Sequence, residues 1–586
     1  MFAARKARHQ LLKGNVMARL FDEHKKRDVK SLSGTWQMAK DESNKGRSES
    51  WQNGLNGAHT VTVPSVWNCE IDMLTYEGAV WYEKKFHTEG GTLRFSFGSV
   101  MTHAEVYLDG ELLGSHYGGF IRFDFIKENV IAGNHCLTVR VDNSFDRAAI
   151  PQPLVDWYHY GGITRPVELE VLRGMTVLSN RMDYTLSGDE ADVRYTVELY
   201  NASDTVLTDT VSITLGESNT VSESVTLGAR EKKAVVIDGG RIANIERWSP
   251  EHPKLYSLIT ETSSDDLIDR TGFRFVEVKN RAIYLNGKKI RLRGVNRHEE
   301  HPDFGMAFPE ALMHRDIDII KRAGCNAIRG SHYPNNPVFV DLLDEQGITF
   351  WSEIPIWGNG FPPALLADPE VIERGLNMHR EMVKEYYNHP SVIIWGMHNE
   401  IDSTTEEALN ITKIYYDFLK NNGGNRLVTY ATNRMNHDIC FHYTDLICFN
   451  SYVDWYSMGG FPSWEVYADA MEEYLQKIGV ADKPVITSEF GAAAIYGHHT
   501  FDGLKWTEEY QAKNIADCIR LFFSRKEYAG TYVWHFADIR TAEEMGLDRA
   551  RSYNNKGIVN EYRRPKMAYF AVSDIYNALK KEDENK

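Results

Sequence analysis

The sequence predicts two antiparallel β-sandwiches followed by a closed barrel of eight parallel strands with helices between them. Three observations carry this. From Ser31 to Gly174, short stretches of alternating apolar and polar residues recur between Gly, Asn and Asp turns, the spacing of a sandwich of antiparallel strands. Residues 175–274 repeat the pattern with fewer aromatics and more Thr, Ser and Asp. After Arg274 the texture changes to strands alternating with helix-length amphipathic segments, and the strand candidates number eight, which closes a β/α barrel. The expected boundaries are therefore 1–174, 175–274 and 275–586.

In chain order, the first sandwich is marked by TVTVPSVW, GAVWYEKKF, TLRFSFGSV, HAEVYLDGELLG, HCLTVRVDN and RPVELEVLR. Near its end, Asp156, Trp157, Tyr158, His159 and Tyr160 form an unusually aromatic loop, and a packed sandwich corner is the reading sequence alone favours there. The second sandwich contains VRYTVELYN, VSITLG and KAVVIDGG. The eight barrel candidates are KIRLRGVN (289–296), CNAIRGSH (325–332), ITFWSEIP (348–355), SVIIWGMH (391–398), LVTYATN (427–433), LICFNSY (446–452), PVITSEF (484–490) and GTYVWHFAD (530–538). Their continuous apolar runs suit strands buried on both faces. One helix is expected near Pro309 to Arg322, where Met313, Ile317 and Ile320 share a face ahead of Gly324, and another near Glu373 to Tyr387.

Composition narrows the function classes. The chain has 586 residues, 42% hydrophobic and 25% charged, an ordinary globular balance for a multi-domain protein. The formal net charge of −16 disfavours non-specific nucleic-acid binding. No apolar run approaches the ~20 residues that span a bilayer. The N-terminal MFAARKARHQLLKG is basic but lacks an apolar secretory core, so the default expectation is cytoplasmic. The six cysteines, Cys69, Cys136, Cys325, Cys440, Cys448 and Cys518, contain no CxxC pair and are read as buried free thiols.

The chemistry is expected where strands end. The fourth strand candidate stops at Asn399-Glu400 and the seventh carries Glu489, placing two carboxylates at the C-terminal rim where barrel enzymes work. Two facing carboxylates are what glycoside hydrolysis requires, one as acid/base and one as nucleophile. A single glutamate is better explained by pairing with an arginine; two at these strand ends favour function. Other strand ends are polar or aromatic: Asn296-Arg297-His298, Arg329 to Tyr333, Asn450-Ser451-Tyr452 and Trp534 to Asp538. Sugars present hydroxyl edges and C–H faces, so these suit a sugar pocket, with Trp534 as the candidate platform. A metal on His298 and His332 is the runner-up, weakened because no HExxH-like spacing accompanies them. No feature asks for a metal or organic cofactor.

Taken together, LFDEHKKR, SLSGTWQ, VPSVWN, WYEKKF, GGITRPVEL, GVNRHEEHPDFG, NAIRGSHYP, NHPSVIIWGMHNE, PVITSEFG and VWHFADI resemble glycoside hydrolase family 2 from Arg19 to about Tyr576. The resemblance implies an N-terminal sugar-binding-like jelly roll, an immunoglobulin-like sandwich and a catalytic TIM barrel, acting with retention of configuration. It implies that Glu400 is the acid/base, Glu489 the nucleophile, and Asn399 the partner of the hydroxyl next to the anomeric carbon. It also implies a homo-oligomer, a dimer or tetramer.

The stretch RSYNNKGIVNEYRRPK resembles the Asn-x-Lys-Gly motif of the family's β-glucuronidases, implying Asn554 and Lys556 on the sugar carboxylate. A C6 carboxylate wants a fixed cation and an amide donor, although Lys556 alone reads as a solvated loop lysine. The likeness extends to Tyr452 near the nucleophile, Tyr456 toward the carboxylate and Asp156 reaching sugar hydroxyls; His332 and Asn450 stand as candidates from their place at polar strand ends. Two departures stand out. GVNRHEEHPDFG is closer to the family's β-galactosidases, and the arginine that glucuronidases carry four residues before the motif's asparagine is Ala550, leaving Arg549 or Arg551 as substitutes. The short stretch from Trp357 to Pro369 implies an open mouth. The expected substrates are small-molecule or oligosaccharide β-glucuronides, with β-galacturonidase or β-galactosidase activity as the alternative and a non-catalytic carbohydrate-binding protein as a distant third.

Overall fold

The computed structural model describes residues 18–456 and 460–585; the basic N-terminal stretch lies outside them. The first sandwich packs a six-stranded antiparallel sheet on a four-stranded one. In the larger sheet, Gly133–Asp142 pairs with Ala79–Thr88 on one side and His103–Leu108 on the other. Trp36, Val80, Tyr82, Phe95, Phe97, Val139 and Leu169 fill the space between the sheets. The second sandwich pairs a three-stranded sheet with a four-stranded one. Along Glu190–Asn201 the core residues Ala191, Val193, Tyr195, Val197 and Leu199 recur at period two, the alternation of a strand buried on one face.

The barrel closes in chain order from β1 (Leu292–Arg297), β2 (Ala327–Gly330), β3 (Thr349–Glu353), β4 (Val392–Asn399), β5 (Leu427–Thr432), β6 (Ile447–Asn450), β7 (Val485–Phe490) and β8 (Tyr528–Val533). Each candidate strand is present, with two corrections. The first candidate spans two elements: Lys288–Ile290 belongs to a small antiparallel sheet with Val276–Lys279 and Ala282–Leu285, whose Val276, Ile283 and Leu285 pack on the lower barrel residues Leu292, Ile394 and Ile486. The hydrophobic run thus continues through a plug into the strand. The last candidate stops at Val533, because past it the regular ladder ends: the Trp534 N–H donates to the Phe490 carbonyl at the end of β7 and the Phe536 N–H to the Asn296 carbonyl of β1.

The two expected helices form at Glu310–Arg322 and Pro369–Tyr386. The second starts four residues early, since Asp368 caps the Glu370 N–H ahead of Pro369 at the first turn. All six cysteines are free; Cys69 and Cys136 are half-buried rather than buried. Among the described residues no helix is long and apolar enough to cross a membrane.

What positions the site is the docking of the first sandwich on the barrel rim. Arg165 donates to Glu299 at 3.1 Å and to the Phe120 carbonyl at 2.6 Å. The Tyr160 hydroxyl donates to Glu300 at 2.9 Å, and Phe120 stacks on Tyr333 with ring centres 4.5 Å apart. These contacts hold the aromatic loop of residues 156–160 against the mouth, so it is both a packed corner and a wall of the site.

Candidate active site

Glu400 follows β4 with φ +54°, a left-handed conformation that costs a non-glycine residue roughly 1–2 kcal/mol. The turn is held by its N–H donating to the Ala431 carbonyl at 2.8 Å. The residue as a whole is part-exposed at the mouth, while its carboxylate turns inward and accepts from Asn450 Nδ2 on β6 at 2.8 Å. Glu489, buried on β7, accepts from Arg329 Nη1 at 2.7 Å and from the Tyr452 hydroxyl at 2.8 Å.

Their surroundings separate the two acids. Burial, then the neighbouring Glu489 charge, pushes Glu400 up to about 8, with only the Asn450 amide and distant arginines opposing. Burial pushes Glu489 up to about 7, opposed by the Arg329 charge and by bonds from Arg329 and Tyr452. Donors to the ionised form favour it, so Glu489 is the stronger acid. Glu400 is the one that keeps its proton.

Arg329 is the hub. All five of its N–H groups are committed: Nε and one Nη2 hydrogen to Glu353 (2.9 and 2.8 Å), the other Nη2 hydrogen to Asn399 Oδ1 (2.7 Å), and Nη1 to Glu489 and to Asn296 Oδ1 (3.2 Å). Asn399 Oδ1 also accepts from Asn450 at 3.0 Å, while its Nδ2 is buried without a protein partner. Asn399 therefore keeps a donor for a ligand. His332 bonds Glu353 through Nδ1 at 2.7 Å and stacks on Trp534, ring centres 5.1 Å apart. Trp534 is itself stacked on His535, and Trp157 of the first sandwich lies 5.5 Å from the His332 ring.

A second set of polar groups adjoins Tyr452. Lys556, buried, donates from Nζ to the Tyr456 hydroxyl at 2.6 Å and lies over the Tyr452 ring at 5.3 Å. Arg549 donates to the same hydroxyl at 2.9 Å and grips Asp156 with two bonds of 3.0 and 2.7 Å. Burial works to raise the Tyr456 phenol, but the Lys556 and Arg549 charges bring it below its ordinary value. Asn554 donates to Asp156 at 2.8 Å. Asn554 reaches this position because Tyr553-Asn554 pairs with Ile539-Arg540 just past β8.

All eleven residues that the sequence nominated thus lie in one connected network: Glu400, Asn450, Asn399, Glu489, Tyr452, Lys556, Tyr456, Asp156 and Asn554 through Arg329 and Arg549, and His332 with Trp534 through Glu353. Of the two candidate arginines, Arg549 is the one that joins it. Arg551 pairs instead with Glu561 at 2.9 Å and Asn555 at 3.0 Å. Sequence reasoning left Arg329 and Glu353 without roles. The signal was a charged residue inside or ending an otherwise apolar parallel strand, which needs a partner to be buried.

For the metal alternative, His298 bonds the Tyr333 hydroxyl through Nδ1 at 3.2 Å. Burial, then nearby charges, hold both His298 and His332 well below the ordinary imidazole range. Among the described residues, ligand atoms gather closely enough for an ion at Asp341, Asp344 and His389. There Arg19 donates to both Asp341 oxygens at 3.0 and 2.9 Å, and His389 bonds Asp344 at 2.5 Å, so a guanidinium already balances the charge.

Comparison with known proteins gives matches along the chain. Residues 276–581 match the family described as "Glycosyl hydrolases family 2, TIM barrel domain", residues 29–172 its sugar binding domain, and residues 177–274 "Glycosyl hydrolases family 2". A β-galacturonidase from Eisenbergiella tayi, solved bound to galacturonate, is 34% identical with a TM-score of 0.89, covering 96% of this chain and 99% of that one. A Ruminococcus gnavus β-glucuronidase structure is 25% identical with a TM-score of 0.84, covering 96% and 100%. A Paenibacillus borealis β-glucuronidase is 26% identical over 92% of this chain and 96% of its own. With more than half of its length matched by the barrel domain alone, this chain belongs to glycoside hydrolase family 2 and is a glycoside hydrolase.

Proposed function

We propose that the protein is a retaining exo-β-uronidase that hydrolyses β-D-glucuronides to glucuronic acid and an aglycone. The observation that carries the substrate class is the convergence of Lys556 and Arg549 on one hydroxyl, that of Tyr456, beside the ring of Tyr452. Asp156 balances Arg549, which leaves the buried Lys556 ammonium for a sugar carboxylate. A neutral hexose would leave that charge unanswered, an unpaired buried group that penalises the wrong substrate.

In this mechanism Glu489, held as an anion by Arg329 and Tyr452, attacks the anomeric carbon while Glu400 protonates the leaving oxygen. The resulting glycosyl ester is then hydrolysed by a water that Glu400 deprotonates. Retention requires carboxylates ~5–5.5 Å apart. Support for such closeness is the linkage of both to Asn399, Glu400 through Asn450 and Glu489 through Arg329, and the effect of the Glu489 charge on Glu400. Asn399 Nδ2 is free to bind the neighbouring hydroxyl.

A second reading, β-D-galacturonides, is favoured by the higher identity to the Eisenbergiella tayi protein. The deciding experiment is a panel of aryl β-glucuronide, β-galacturonide, β-glucoside and β-galactoside, with the first-formed anomer followed by NMR. The expected result is turnover of uronides far above the neutral sugars, glucuronide leading, with β-anomer released first. Preference for a neutral sugar sinks the uronide assignment, and first release of the α-anomer sinks retention.

The same assignment sets the pH profile. Glu489 must be ionised, so kcat/KM falls as pH drops through about 7. Glu400 must be protonated, so kcat/KM falls as pH rises through about 8. The product is a narrow bell whose two limbs belong to the interacting pair. A profile rising monotonically through both limbs would contradict these roles.

A further inference from the structure

Glu353, the carboxylate at the end of β3, has no part in the mechanism above. It is fully buried, and its Oε1 lies 2.7 Å from His332 Nδ1. Burial raises the Glu353 carboxyl above its ordinary range, but both its oxygens accept from the Arg329 guanidinium, which favours the anion. A lone pair on Nδ1 would then face an anionic oxygen, which places the proton on the ring nitrogen. Arg329 Nη2, 3.3 Å from Nδ1, has no hydrogen left to offer, since both go to Glu353 and Asn399. Burial, then the Arg329 charge, keeps the imidazole neutral. A neutral ring with its proton on Nδ1 presents a lone pair at Nε2. Nε2 is buried with no protein partner and lies 3.8 Å from Glu489 Oε1.

We propose that Glu353 is a positioning residue that selects the tautomer of His332, making Nε2 a hydrogen-bond acceptor for a sugar hydroxyl beside the nucleophile. This rests on the reading of Glu489 as nucleophile. Without Glu353 the nearest anion to the ring is Glu489, on the opposite nitrogen, and the proton moves to Nε2. The ring then donates to the nucleophile and no longer accepts from the hydroxyl. Glu353 also takes two of the five Arg329 hydrogens, which aims Nη1 at Glu489.

The test is a nitrogen–proton correlation spectrum of the full chain labelled with ¹⁵N-histidine, with His332 assigned through His332→Gln. The expected result is a pyridine-like Nε2 and a pyrrole-like Nδ1 near neutral pH. In Glu353→Ala the proton is expected on Nε2, with kcat reduced on the order of 10- to 100-fold; in Glu353→Asp the original tautomer and part of the rate return. An Nε2-protonated ring in the wild type, or an unchanged tautomer in a folded Glu353→Ala, overturns the proposal. If Glu353→Ala does not fold, the wild-type spectrum still decides. Retained turnover in Glu489→Gln would remove the nucleophile reading while leaving the tautomer result standing.

Discussion

Glu489→Gln is expected to lower kcat by about 10⁴-fold or more while the protein stays folded. Glutamine has the same shape, and its amide oxygen can still accept from Arg329 or Tyr452, which hold the carboxylate at 2.7 and 2.8 Å. What it lacks is the electron pair that forms the glycosyl ester, and no other group replaces that step. Glu353 cannot substitute, because both its oxygens are occupied by Arg329 and His332. The contrasting variant, Glu400→Gln, should spare substrates with an activated aryl leaving group in the first step, since such groups depart without a proton. It should respond to added azide, which attacks the ester without base help. The measurement is single-turnover and steady-state kinetics of both variants on one aryl uronide, with circular dichroism as a check on folding. A loss of less than tenfold in Glu489→Gln would falsify the nucleophile assignment and with it the double displacement.

Lys556→Ala is expected to lower kcat/KM on the aryl glucuronide by about 10²- to 10³-fold, the cost of truncating one partner of a buried charge pair, and to change the aryl glucoside little. The lysine is buried, so its charge is not screened by solvent, and its Nζ already faces the polar cluster of Tyr456 and Arg549. Removing it also removes a charge that holds the Tyr456 phenol below its ordinary value, so the phenol should titrate at higher pH. Lys556→Arg should not restore the rate, because a planar, longer fork does not take the place of a compact ammonium packed against two adjoining tyrosine rings. The paired substrates are the control: an equal loss on glucuronide and glucoside would mean that Lys556 supports the loop rather than the sugar, and would end the uronide reading.

Much of this site was visible in one dimension. Glu400 and Glu489 announced themselves because apolar runs buried on both faces end abruptly in a charge, and strand ordinal in a barrel converts directly into position around the rim. Asn554 and Lys556 were legible only through resemblance, since a lone loop lysine carries no local signal. Glu353 closes its strand in the same manner as Glu489, but alone it reads as a buried ion pair, and its partners Arg329 and His332 lie 24 and 21 residues away on the preceding strand and its loop.

The choice between Arg549 and Arg551 illustrates what sequence leaves open. Both are adjacent to Ala550, and either was free to fill the missing arginine's place. Arg551 takes φ +63° and turns to Glu561, whereas Arg549 meets Asp156, 393 residues earlier. Asp156 is at the mouth only because the first sandwich docks there through Arg165, Tyr160 and Phe120.

The linear chain therefore specified the periodicity of each element, the strand count, and which chemical groups stand at strand ends, because these follow from local spacing and from burial on one face or two. Barrel closure and sandwich docking decided which groups touch. Hydrogen bonds within the site span up to 398 residues, and at such separations a contact depends on the packing of whole domains and on the side-chain angles that packing permits, neither of which is written in neighbouring residues.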